Sequence, residues 1–170
     1  MVRIERRVNV GRIYVMTIPD QRPALTINYS SQLDLRITLA EAVHYGGLAR
    51  PDYRFEMNCC WRHPSGTFGY SADNLYFGLD GFERFAEELQ RLQQGLTQEA
   101  ALKDPGEMVV LRLERKGNTL WANFDIREHL PPSVAQLHVV LEVDYDLFVN
   151  KLKSEVDRFV EEVREIKPAG

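Results

Sequence analysis

From Tyr53 to Arg62 the chain alternates without a fault. Tyr53, Phe55, Met57, Cys59 and Trp61 fall on odd positions, and Arg54, Glu56, Asn58, Cys60 and Arg62 fall between them. Successive side chains of a strand point to opposite faces, so this segment predicts a strand with one apolar and one polar face. Pro64, Ser65 and Gly66 then turn the chain, and "TFGYSADNLYFGL" supplies one or two further short strands. The same period of two runs through Val2, Ile4, Val8 and Val10, through "RIYVMTI" and through "ALTINYS", with Gly11 and the Pro19 to Pro23 segment as breaks. "SSQLDLRITLAEAVHYGG" reads two ways. Leu33, Leu35, Ile37 and Leu39 alternate as in a strand, whereas Ser31 with Asp34 behind it and Gly46 at the end suit a helix. A strand to about Leu39 followed by a short helical turn satisfies most of these signals.

The period changes at Asp80. Phe82, Phe85, Ala86, Leu89 and Leu92 form one helical stripe, Asp80 and Glu83 have capping-box spacing, and Gly95 is a stop, which predicts a helix over about 81–95. A second stripe of Phe148, Leu152, Val156, Phe159, Val163 and Ile166, opened by Asp144 and followed by Pro168, predicts a helix over about 145–166. Between the two lie a turn at "DPG", a hairpin in "EMVVLRLERKGNTLWANFDI" with "KGN" at the bend, a loop at Pro131 and Pro132, and the alternating strand "LHVVLEV". The sum is an α+β protein: an antiparallel sheet of about seven or eight strands with two main amphipathic helices packed on one face. No βαβ alternation is sustained, which argues against a doubly wound nucleotide-binding fold.

Composition adds limits. The 170 residues suit a single domain over 1–170, with 44% hydrophobic and 27% charged residues as in an ordinary globular protein. No apolar run approaches the ~20 residues of a membrane span, and the basic N-terminus lacks the apolar core of a signal peptide. Two cysteines make no disulfide framework, so a cytoplasmic location is expected. A formal net charge of −4 argues against nucleic acid as a partner, although Arg3, Arg6, Arg7 and Arg12 cluster at one end and the segment after Asp144 is acid-rich.

Candidate chemistry begins at "MNCCWRHPSG", which holds both cysteines. Strand alternation points Cys59 and Cys60 to opposite faces and leaves Cys59 and His63 ~13 Å apart, so neither pair can hold one metal ion alone. His44, His129 and His138 show no ligand spacing, and no cofactor is implied. If the "TLWANFDI" and "LHVVLEV" strands pair, Asp125, His138 and Glu142 share a face with Trp121 and Asn123. A histidine beside carboxylates suits acid–base chemistry, and the same set also makes the wet face of a sheet. The phosphate-loop, dinucleotide, nucleophile-elbow and zinc-protease motifs are all missing.

From Phe55 onward the order of segments resembles the WapI-type immunity proteins and their uncharacterised bacterial relatives. The resemblance runs through "FERFAEELQRLQQG", "EAAL", "VVLRLERKGN" and "LEVDYDLFVNKL", at Phe82, Phe85, Leu89, Leu92, Leu102, Leu111, Leu113, Gly117, Asp144 and Leu147. "FEMNCCWRH" stands where that group has an Asp-x-Asn-Trp-Leu-like stretch. The resemblance implies a non-enzymatic protein that neutralises a cognate toxin domain, and it transfers no catalytic residue. The surfaces for such a partner are the polar sheet face with Trp121, Asn123 and Asp125, or the acidic side of the last helix with Glu161 and Glu165. The alternative is a small-ligand binder or enzyme with a pocket between sheet and helices, near Trp61, His63, His138 and Asp125. The oligomeric state is not legible in the sequence.

Overall fold

A computed structural model of the chain describes residues 13–15, 21–29, 31–45, 51–76, 78–103, 109–130 and 133–166. In chain order the elements are β1 (Ile13–Val15), β2 (Ala24–Tyr29), β3 (Leu33–Tyr45), β4 (Asp52–His63), β5 (Gly66–Tyr76), α1 (Leu79–Gln93), β6 (Glu99–Lys103), β7 (Val109–Lys116), β8 (Thr119–Leu130), β9 (Ser133–Val143) and α2 (Tyr145–Arg164). The fold is α+β with antiparallel strands and two main helices, as the periodicities predict. The expected strand over 2–10, the "DPG" turn and the Pro131–Pro132 loop lie outside the described residues.

The strands form two sheets, separated in sequence by α1. The first has the order β1-β3-β4-β5, with β2 also on β3, and the second is the meander β6-β7-β8-β9. Among the described residues each sheet has four strands of five residues or more, and the three-residue β1 adds to the first.

β3 runs on to Tyr45, where a helical turn was expected after Leu39. The reason is a register shift against β4 between Leu39 and Glu41. Leu33, Leu35, Ile37 and Leu39 are buried on odd positions, and the next buried residue is Ala42 on an even one. One extra residue at a bulge moves the alternation to the other parity, so a continuous strand reads as a broken one.

α1 begins two residues before the expected start. Its N-cap is Gly78, which has no side chain to cap with, and the Asp80–Glu83 capping box is not formed. A Cβ placed on Gly78 would lie 2.0 Å from Asp80 Oδ1, so the Asp80 carboxylate folds back over the helix start, where the dipole favours a negative charge. Glu83 instead accepts hydrogen bonds from Arg164 of α2 at 2.8 and 3.2 Å. The other end follows expectation: Gly95 has φ +70°, its amide donates to the Leu92 carbonyl and that of Leu96 to Arg91, a Schellman closure. α2 is capped as predicted, with Asp144 Oδ1 accepting from the Leu147 amide at 2.9 Å.

The buried side chains of both sheets and both helices form one contiguous cluster. Its centre is an aromatic triangle. Phe55 of β4 lies 5.4 Å from Phe82 of α1 and 5.9 Å from Phe159 of α2, and Phe82 lies 5.0 Å from Phe159. All three are fully buried, so each ring contributes ~1.5–3 kcal/mol of burial, and edge-on ring pairs add ~0.5–1.5 kcal/mol each. α2 also meets the first sheet through Phe148, whose ring packs edge-on against Tyr29 at 5.5 Å. α1 meets the second through Glu88, whose Oε2 accepts from the Ala101 amide at 2.8 Å. The helices therefore serve both sheets.

Candidate functional site

The "MNCCWRHPSG" stretch forms the outer end of the β4–β5 hairpin. Cys59 is buried, and burial, then Cys60, then Asp34 push its thiol from the ordinary 9.0 up to about 11. Cys60 faces the other way, is half-buried and pairs in register with Asp34 and Gly69. At the tip Trp61 lies opposite Phe68, and the His63 ring tilts over Trp61 at 5.3 Å. The Ser65 amide donates to His63 Nδ1 at 3.2 Å, which places the proton of the neutral ring on Nε2. Among the described residues no three His, Cys, Asp or Glu side chains converge to hold a metal ion.

The second sheet turns its apolar residues Leu111, Leu113, Leu120, Ala122, Phe124, Val139 and Val143 into the core. Its other face carries most of the residues singled out from the sequence. Asp125 lies opposite His138, Asn123 opposite Val140, and Trp121 opposite Glu142; on the far side of β8, Arg112 faces Asn123 and Glu114 faces Trp121. Trp121, Asn123 and Asp125 are half-buried, and His138, Val140 and Glu142 are exposed. Asp125 and His138 are thus brought together. Glu142 is not, because it stands four residues along β9 from His138, ~13 Å at the usual strand rise, whereas proton transfer requires ~3 Å or one bridging water.

Trp61 and His63 belong to the first sheet, and Asp125 and His138 to the outer face of the second, so those four residues do not line one pocket between sheet and helices. Glu161 lies exposed on α2, and Glu165, exposed too, caps its C-terminal end. Glu161 and Glu83 both bind the Arg164 guanidinium and raise its pKa, Glu83 chiefly.

One cleft has no counterpart in the sequence reading. It encloses about 620 Å³ where the β7–β8 turn meets the start of α2, lined by Tyr29, Asn118, Thr119, Glu142, Asp144 and Asp146 among others. The Tyr29 hydroxyl closes one side by donating to the Glu142 carbonyl at 3.0 Å. These residues come from three separate segments, Tyr29, Asn118–Thr119 and Glu142–Asp146, whose meeting no local spacing announces.

Fold and faces together define an α+β protein whose second sheet carries a mixed-polarity outer face. No family model, curated protein or solved structure matches the chain. Among the described residues, no helix is long and apolar enough to cross a membrane.

Proposed function

We propose that the chain is a non-enzymatic binding protein, of the kind the immunity-protein resemblance implies, and that it meets its protein partner through the outer face of the second sheet. The observation that carries this reading is the make-up of that face. Trp121 and the 44%-exposed Val140 stand on its neighbouring strands β8 and β9, with Arg112, Glu114, Asp125, His138 and Glu142 beside them. Aromatic and apolar residues set among charged ones suit a protein-contact patch, and tryptophan is prominent among residues that dominate binding energy. Acidic residues on this face and along α2 suit a basic partner such as a nuclease toxin domain, whose approach they would steer.

Affinity capture from the source cell, by the wild-type chain and by a Trp121→Ala variant, tests the proposal. A protein retained by the first and lost from the second, with unchanged circular dichroism, supports it. Equal retention by both overturns the assignment of this face. Retention of a small molecule with no protein favours the alternative, for which the 620 Å³ cleft beside Tyr29 is the supporting observation.

A further inference from the structure

Among the described residues β9 is an edge strand, paired on one side with β8 in an unbroken register. Tyr29 shows how its free side is built. Its hydroxyl reaches the Glu142 carbonyl, so at Glu142 the backbone points away from β8. Along an antiparallel strand these directions alternate, so the amides and carbonyls of Val140 and His138 point outward too. Edge strands are normally blunted by lysine, proline or a bulge, and "HVVLE" at 138–142 has none of these. His138, Val140 and Glu142 also expose their side chains on the outer face.

We propose that this edge pairs with the same edge of a second copy of the chain, antiparallel and centred on Val140. In that register Val140 meets Val140 of the second copy, His138 meets Glu142, and Glu142 meets His138. An imidazole opposite a carboxylate hydrogen-bonds in either protonation state of the ring. A two-fold interface demands a surface complementary to itself, and the segment has that property about one point only. Moving the register by one outward-facing pair sets Val140 against His138 or Glu142. Moving it by two sets like against like. The Tyr29 hydroxyl occupies one lone pair of the Glu142 carbonyl and leaves the second for the incoming amide. Asp144, which opens α2, ends the ladder. The product is a sheet continuous across two copies, with the two outer faces joined side by side.

Sedimentation of the isolated chain over a wide concentration range tests the proposal, and the expected result is a monomer–dimer equilibrium. His138→Glu sets carboxylates opposite one another at two sites, and Glu142→Lys removes the carboxylate that faces the imidazole at two sites, so each should weaken dimerisation roughly ten-fold, and the double variant, with Glu opposite Lys, should restore it. Val140→Cys in a Cys60→Ser background should give a covalent dimer on air oxidation, because facing residues of an exchanged pair have Cα atoms ~5.5 Å apart, within disulfide span. A chain that stays monomeric at millimolar concentration overturns the proposal. So does a dimer indifferent to both single changes, or one that the double change fails to restore. No partner protein takes part in these measurements, so they fail or succeed independently of the binding role above.

Discussion

The carboxylate of Glu88 on α1 accepts a hydrogen bond from the backbone amide of Ala101 on β6. Ala101 is almost fully buried, and among the described residues β6 is the edge of its sheet, so this amide has no neighbouring strand there and no ready access to water. Glu88→Ala should therefore cost ~1–2 kcal/mol, the penalty of an unsatisfied buried donor. Glu88→Gln keeps an acceptor and should recover most of that loss. Denaturant unfolding gives the difference, and equal stability of the two variants would remove the edge-closing role of Glu88.

Phe55 touches both helices, and its loss should be felt by the whole fold. Phe55→Ala is expected to cost ~3–5 kcal/mol, the range for emptying an aromatic core site. Urea unfolding followed by both tryptophan fluorescence and far-ultraviolet dichroism checks this. Trp61 and Trp121 report on different sheets, and the two signals should shift together.

Asp80 and Asp144 look equivalent in the sequence, each before a helical stripe, yet only Asp144 caps. Asp144→Ala should cost ~1 kcal/mol through the loss of its bond to the Leu147 amide, and Asp80→Ala only a few tenths through the helix dipole. A larger effect at Asp80 would contradict the Gly78 start of α1.

The two cysteines should separate in reactivity. Cys60 is half-exposed, whereas Cys59 is buried with its thiol pushed up to about 11, and only the thiolate attacks. Near neutral pH a thiol reagent should modify Cys60 first, and Cys60→Ser should abolish the fast phase. Equal rates would count against the alternation of β4.

The raised thiol of Cys59 also makes stability depend on pH. The folded state holds this proton more tightly than the unfolded state, so its contribution is fully present below pH 9.0 and is lost as pH rises toward about 11. The loss amounts to roughly 2 kcal/mol. Unfolding curves across this window should show the decline in the wild type and lack that component in Cys59→Ala.

Much of this architecture was legible because burial and period coincide. Tyr53 to Cys59 alternate on β4, and Phe148 to Ile166 form the apolar stripe of α2. Where the period breaks, the reading failed. The bulge after Leu39 hid the second half of β3, and Glu83, drawn off by Arg164 from a distant helix, made a capping box that does not form. Alternation also cannot say which strands are neighbours, so the division into two sheets was not visible. The shared face of Trp121, Asn123, Asp125 and His138 could be read once β8 and β9 were paired. That Glu142 sits four residues beyond His138, ~13 Å along the same strand, follows from the strand rise alone. The cleft beside Tyr29 joins three segments far apart in the sequence.

The triangle of Phe55, Phe82 and Phe159 has a consequence for biosynthesis. Its first corner leaves the ribosome long before its last, so the apolar face of the first sheet must wait with α1 alone available to cover it until α2 has been made. Contacts between such distant parts of a chain slow folding, and exposed apolar surface during that wait invites association with other chains. This protein should accordingly depend on chaperone protection during synthesis more than a helical bundle of the same length does.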